Sequence, residues 1–270
     1  TVDSGNLVAG AWVAEKSVEQ MLRDPVFGRK AFEGIKDTFL TFCGLLPEPK
    51  TAFGELVERV DSLLRDVPDE LDSQISVMRE LGEKTWQLAE LFGEQDGEAS
   101  AWARQLHLEV AHWNNVIDRY LLWYEIGRKE GLEPRREAPS LCALFEGLNP
   151  IVFEIPAERI SGDAWTRVRE ELDKSRWLAG EKIAEAKKAV QILKELCDGI
   201  DFGFLYNSHQ RLFHLGYNVD RQAHDEGLYD LLASEARLSS FIAIAKGEVP
   251  VRHWFSLGRP FGSVGSRRVL

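Results

Sequence analysis

Apolar residues recur every three or four positions through most of the sequence, and runs that alternate apolar with polar residues are few. This spacing places apolar side chains on one face of an α-helix. The longest example lies between residues 98 and 129, and its members are Trp102, Leu106, Val110, Trp113, Ile117, Tyr120 and Tyr124. The chain is therefore predicted to be all-α, with successive antiparallel helices that suit an α/α toroid or bundle.

Prolines, glycines and capping residues set the expected limits of the elements. Helices are predicted over residues 7–22, 26–45, 50–65, 68–92, 98–129, 161–197 and 228–246, with Gly247 closing the last of them. A small β-hairpin is predicted within residues 202–219, because aromatic residues there flank the turn-like Asn207-Ser208-His209. The tail from Leu257 is expected to have no regular structure.

Size and charge exclude some classes of protein. With 270 residues and 44% apolar content, the chain can bury the core of one large domain, or of a domain with a satellite lobe. The net charge of -11 argues against a nucleic-acid partner, which needs a concentrated cationic surface. A neutral, polyhydroxylated ligand is compatible with this charge. No apolar run approaches the roughly 20 residues of a membrane helix, so this segment is expected to make no membrane contact.

Cysteine spacing and short motifs give no sign of a cofactor. Cys43, Cys142 and Cys197 are far apart and form no C-x-x-C pair, which favours reduced thiols in a cytoplasmic protein. The chain opens on Thr1 without a secretory signal and resembles an excised piece of a longer protein. It contains neither a phosphate-binding G-x-x-x-x-G-K-[ST] loop nor a G-x-S-x-G elbow, and its histidine pairs are spaced five apart. We predict no cofactor and no metal site.

Glu235 is the candidate catalytic residue. On a helix over 228–246 it follows Leu231 by four positions and precedes Leu238 by three, so its carboxyl would lie within an apolar face. A carboxyl in that position is either paired with a cation or desolvated, and a desolvated carboxyl can donate a proton at neutral pH as a glycosidic general acid does. The alternative is a structural ion pair with Arg237 or another basic side chain, and the spacing leaves both open.

Two blocks of the sequence resemble bacterial cyclic β-1,2-glucan synthases. The larger block comprises LFHLGYNV at 212–219, YDLLASEARL at 229–238, IAIAKG at 242–247 and HWF at 253–255. The second is TVDSGNL at 1–7, and the two occur in the family's order. The matched blocks cover residues 1–7 and about 201–259. The intervening helices match only as amphipathic segments, and about 47–160 is a candidate inserted or satellite segment.

The resemblance implies that residues 1–270 form part of an (α/α)6-type barrel that lies between a membrane-bound glycosyltransferase and a phosphorylase-like part. It implies a retaining transglycosylation that closes linear β-1,2-glucan into a ring, with Glu235 as general acid/base. The second carboxylate is expected in a W-G-I-S-E-S-like motif beyond Leu270. The implied partners are β-1,2-glucan and the other domains of a larger synthase, at the cytoplasmic face of the inner membrane.

The resemblance also suggests residues that bind the substrate. They come from both blocks: Asp3, Ser4, Asn6, Tyr217, Tyr229, Asp230 and Arg237. Ser4 and Gly5 are small enough to permit close backbone approach. Asp3 has an alternative role as the N-cap of a helix that begins near Leu7. Tyr217 and His214 could line the mouth of the site from the hairpin, or simply pack.

Two other functional classes remain open. One is a non-catalytic helical scaffold that binds glucan or packs against neighbouring domains. Such a scaffold is expected to hold Glu235 in an ion pair or leave it solvated, whereas a catalytic domain is expected to open it into a cleft. The other is a protein-binding helical module, which predicts a continuous exposed apolar patch.

Overall fold

A computed structural model describes residues 2–46, 54–93, 97–131, 137–147, 162–258 and 262–269. These residues are mostly helical, which confirms the predicted fold class. Their helices are α1 Val2–Met21, α2 Arg29–Gly44, α3 Gly54–Arg65, α4 Leu71–Phe92, α5 Glu98–Tyr120, α6 Leu122–Lys129, α7 Leu141–Glu146, α8 Gly162–Gly199, α9 Arg237–Ala245 and α10 Arg252–Ser256. Closure of helices into an (α/α)6 barrel stays a prediction.

Short antiparallel strands follow α8 and end the chain. They are β1 Tyr206–Asn207, β2 Leu212–His214, β3 Tyr217–Asn218, β4 Ala223–His224, β5 Leu228–Tyr229, β6 Gly262–Val264 and β7 Arg267–Val269. The strand order is β1-β2-β5 in one sheet, while β3 pairs with β4 and β6 with β7. The predicted hairpin is confirmed as β1-β2. The prediction of an irregular tail is wrong, because Gly265 at φ 63° permits the turn between β6 and β7.

The chain divides into two compact units. The terminal unit joins Thr1–Glu19 to Ala186–Leu270, and the middle unit is Gln20–Glu185. Each unit has its own hydrophobic core. The predicted inserted segment of about 47–160 falls within the middle unit, and its origin as an insertion stays a prediction.

The middle unit buries the apolar stripes of its helices. Side chains in its core include Phe39, Phe42, Met78, Leu106, Val110 and Ile117. Unlike the predicted helix over 98–129, the observed helix breaks at Leu121, which has φ -130° and ψ 5°. The indole N–H of the buried Trp123 donates to the Tyr120 carbonyl at 2.7 Å, while the Tyr124 amide turns to the Leu121 carbonyl. The break lets Leu121 and Trp123 both be buried.

Several predicted helix starts were also wrong. Helix α1 begins before residue 7, at Val2. Helix α2 begins at Arg29 because the Val26 amide donates to the Pro139 carbonyl, which holds Val26 outside the helix. Helix α4 begins at Leu71 and not at Pro68. The predicted cap Ser161 lies outside the described residues.

The terminal unit shows the largest departure from prediction. Its core includes Val8, Cys197, Phe202, Phe213 and Ile242. The helix predicted over 228–246 is wrong in its first half, because Leu228 and Tyr229 pair with β2 as strand β5. Pairing with a neighbouring strand overrides a local helical pattern. Gly247 closes α9 as predicted, with φ 77° and its amide donating to the Ile244 carbonyl.

Candidate functional site

Glu235 lies in the turn before α9, and its side chain is exposed. The turn is closed by the Ser234 amide on the Leu231 carbonyl at 3.0 Å and by the Arg237 amide on the Ser234 carbonyl at 3.2 Å. The predicted position of Glu235 within an apolar helical face is therefore wrong. The start of the predicted helix forms strand β5 instead. The chain therefore turns between residues 230 and 236, before α9 begins.

Glu235 forms no ion pair with Arg237 among the described residues. Arg237 opens α9 and is exposed, like Glu235. Within the described ranges, no salt bridge joins Glu235 to Arg237 or to another basic side chain. The carboxyl is thus a solvated one in the free chain.

Tyr229 is influenced by the charges of two of the candidate carboxylates. Burial raises the pKa of the Tyr229 phenol, and the negative charges of Glu235 and Asp3 raise it further. Asp3, Tyr229 and Glu235, which are linked by these charge effects, are here called the Tyr229 cluster. At neutral pH the phenol keeps its proton and can donate a hydrogen bond.

Gly5 explains how the first matched block packs against α9. A Cβ on Gly5 would collide with the Ser239 Oγ and lie 2.8 Å from the Ser239 Cα. Only a glycine allows α1 to approach the first turn of α9 so closely. The small residue thus permits close packing of two helices, and an approach of the backbone to a sugar stays a prediction.

The other residues of the first block lie on the first turns of α1. Because α1 begins at Val2, Asp3 is inside the helix, and its alternative role as an N-cap is wrong. Asp3 and Asn6 are exposed, while Ser4 is half-buried. A carboxylate in the first turn also interacts favourably with the helix dipole.

The remaining candidates of the second block are dispersed. Asp230 is half-buried, and its carbonyl accepts from the Gly258 amide at 3.0 Å, which ties the end of β5 to the segment after α10. Tyr217 lies on β3, in a different sheet from Tyr229. Its ring contacts Phe204 and His224 and belongs to a second group of side chains.

His253 is a residue that sequence reasoning missed. It is fully buried, with Nδ1 at 2.7 Å from the Arg211 carbonyl and Nε2 at 2.9 Å from the Ser240 Oγ. A carbonyl only accepts, so Nδ1–H donates and Nε2 accepts from the serine. Burial lowers the pKa of His253, opposed by its bond to the Arg211 carbonyl. The ring joins α10 to α9 and to the β1-β2 turn, where Arg211 has φ 61°. Its place in the matched HWF segment was the available signal.

Comparison with known proteins gives a partial match. No family model matches the chain. Over 92 residues the sequence is 45% identical to the cyclic beta-(1,2)-glucan synthase NdvB of Rhizobium meliloti (strain 1021). The chain resembles a cyclic β-1,2-glucan synthase. The match covers 33% of this chain and 3% of the NdvB protein, so the chain spans a small part of that relative.

The described residues contain no group of three histidine, cysteine or acidic side chains placed to hold a metal ion. Within the same ranges, no helix combines the length and the apolar character that crossing a membrane requires. Cys142 and Cys197 are free thiols.

Proposed function

We propose that this chain is part of a glucan-cyclising transglycosylase that acts on linear β-1,2-glucan. The observation that carries the proposal is the 45% identity over 92 residues to a protein named as a cyclic beta-(1,2)-glucan synthase. The Tyr229 cluster supports it, because Asp3 and Glu235 come from the two separate sequence blocks that resemble this family and the charges of both raise the pKa of Tyr229.

In the proposed reaction a carboxylate attacks the anomeric carbon of a glucosyl residue, and Glu235 gives its proton to the departing glycosidic oxygen. The carboxylate of Glu235 then takes the proton from a hydroxyl at the other end of the same glucan. That hydroxyl attacks the anomeric carbon, displaces the enzyme carboxylate and closes the ring. The attacking carboxylate must lie about 5–5.5 Å from Glu235, and we place it outside the present chain.

The Tyr229 cluster would hold the substrate for this step. The protonated phenol of Tyr229 can donate to a sugar oxygen, and Asp3 can accept from sugar hydroxyls. Ser4, Asn6, Asp230 and Arg237 would add hydrogen bonds from the flanking turns. Glu235 is exposed in the free chain, so a bound glucan would have to supply the desolvation that favours proton donation.

The surroundings proposed for the chain are those of a larger membrane-bound synthase. It would pack against the other domains of that protein at the cytoplasmic face of the inner membrane. The free thiols of Cys142 and Cys197 support a reducing compartment, where disulfides are rare.

A non-catalytic helical scaffold that binds glucan or packs against other domains is the second candidate. The observation that favours it is the solvated carboxyl of Glu235, which has no ion pair among the described residues. A non-catalytic scaffold requires neither a cation partner nor desolvation for the Glu235 carboxyl.

Replacing Glu235 in a cyclic glucan synthase that carries this segment separates the two candidates. We expect Glu235→Gln to lower the kcat for cyclic product about 10²–10⁴-fold, the usual contribution of general acid/base catalysis. The KM for linear β-1,2-glucan should change little, because the amide keeps the shape of the side chain. The matched control is Glu226→Gln, another exposed carboxyl of the terminal unit, which should keep full activity. If Glu235→Gln forms cyclic product as fast as the parent enzyme, Glu235 is not catalytic and the non-catalytic scaffold is the remaining candidate.

A further inference from the structure

Four aromatic rings meet on the surface of the terminal unit. Phe204 is 53% exposed and Tyr217 is 40% exposed, although aromatic side chains are usually buried. Their ring centroids lie 6.1 Å apart, edge to face. His224 lies 5.2 Å from Tyr217 and 6.2 Å from Phe204, and His214 stacks on His224 at 4.8 Å. These four residues are called the aromatic platform.

Hydrogen bonds to the backbone hold the rings of the platform in place. His224 Nε2–H donates to the Phe204 carbonyl at 2.7 Å, and His214 Nδ1–H donates to the Asp225 carbonyl at 2.7 Å. Tyr217 faces His224 across the β3-β4 pair. A surface whose side chains are already ordered loses little conformational entropy when a ligand binds.

The platform has the polarity of a surface that binds an uncharged sugar. Each histidine donates one ring N–H to a backbone carbonyl. Asn207 Nδ2 approaches the His214 Nε2 at 3.4 Å, so amide groups reach the edge of the rings. A pyranose presents apolar C–H faces with hydroxyls around its rim. Aromatic faces bordered by hydrogen-bonding groups complement that pattern.

The strand register separates the platform from the Tyr229 cluster. Phe213 lies opposite Tyr229, and His214 lies opposite Leu228. Successive residues of a strand point to opposite faces of a sheet. His214 therefore points away from the face that carries Tyr229 and the buried Phe213. His214, on which His224 stacks, thus lies on the opposite face of this sheet from Tyr229.

We propose that the aromatic platform of Phe204, His214, Tyr217 and His224 binds glucosyl units of a β-glucan at a distance from the catalytic centre. The choice of β-glucan as the ligand rests on the proposed function, since a cyclising enzyme must hold a long flexible substrate at more than one place. A platform of this kind raises the affinity for the glucan and leaves the chemistry of Glu235 untouched.

Calorimetric titration of the whole chain with linear β-1,2-glucan tests the proposal. We expect Phe204→Ala and Tyr217→Ala each to raise the Kd about tenfold, which corresponds to about 1.4 kcal/mol. The matched control is Phe255→Ala in the same unit. Phe255 is 83% exposed and makes no ring contact within the described residues, so its removal should leave the Kd unchanged. Circular dichroism checks that each variant is folded, and Tyr217→Phe should bind glucan as the parent chain does.

The proposal falls if both alanine variants bind glucan as tightly as Phe255→Ala, or if the folded parent chain does not bind linear β-1,2-glucan. If an unrelated protein partner alone loses affinity for the platform variants, the surface is a protein interface and the proposal is also wrong. None of these outcomes bears on Glu235, because the proposed cyclisation is judged by the product that Glu235→Gln forms.

Discussion

The stability of the folded chain is expected to depend on pH through His253. Its folded-state pKa is lowered by burial, so the unfolded chain takes up a proton at a higher pH than the folded chain. The resulting stabilisation is complete above the ordinary histidine pKa of about 6.5 and is lost as the pH falls from there towards the folded value. The acid sensitivity attributable to this residue therefore lies on the acidic side of neutrality.

We expect His253→Gln to lower the free energy of unfolding at pH 7.5 by about 1–3 kcal/mol, since it leaves buried groups without their partners. At pH 5.5 the difference from the parent chain should be smaller, because the parent has lost part of its stabilisation. Urea unfolding at the two pH values measures both quantities. His209→Gln is the control, because His209 is exposed. A difference that is equal at the two pH values contradicts this account of His253.

The sequence pointed to Glu235 by its spacing and to Asp3 and Tyr229 by resemblance to a family, and the role of all three in a site stays a prediction, although the charges of Glu235 and Asp3 both raise the pKa of Tyr229. It could not show that Glu235 lies in a turn, because Leu231 and Leu238 also fit a continuous helix. The role of His253 was equally hidden. Its partners Arg211 and Ser240 are 42 and 13 residues away and become neighbours only in the folded unit.

At the scale of elements, the contact of α1 with α9 depends on Gly5. We expect Gly5→Ala to destabilise the chain by about 1–3 kcal/mol, because the new methyl group would meet the Ser239 backbone as well as its hydroxyl. Gly10→Ala on the same helix is the matched control, since a Cβ there meets nothing within 4 Å. It should stabilise α1 by up to about 1 kcal/mol through its better helix propensity. Thermal unfolding measures both variants, and equal effects would contradict the close packing.

Periodicity predicted an element well where a helix buries a single stripe. Helix α5 buries Ala103, Leu106, Val110 and Ile117, and the predicted start at Glu98 is confirmed. It failed where tertiary contacts compete with the local pattern. The Tyr120 carbonyl accepts a hydrogen bond from the Trp123 indole where α5 ends. Leu228 and Tyr229 pair with β2 and therefore form a strand. Neither contact has a signature in the local spacing of apolar residues.

At the scale of the whole molecule, the chain contains two compact units with separate cores. The Tyr229 cluster, His253 and the aromatic platform all belong to the terminal unit, which is assembled from both ends of the sequence. The proposed chemistry therefore depends on a unit whose two parts are separated by the 166 residues of Gln20–Glu185. A sequence pattern cannot predict that assembly, because it depends on long-range contacts such as that of Gly5 with Ser239.

Chemical rescue tests the central claim, that Glu235 transfers the proton during glucan cyclisation. A synthase that carries this segment with Glu235→Ala is given linear β-1,2-glucan bearing an activated aryl leaving group, whose departure needs no general acid. Azide, which needs no general base, can then attack the anomeric carbon of the glycosyl-enzyme and displace the enzyme carboxylate. We predict that azide accelerates the variant, leaves the parent enzyme unchanged and yields a β-glycosyl azide. A variant that azide does not accelerate, or an α-glycosyl azide, would contradict the role of Glu235 as acid/base.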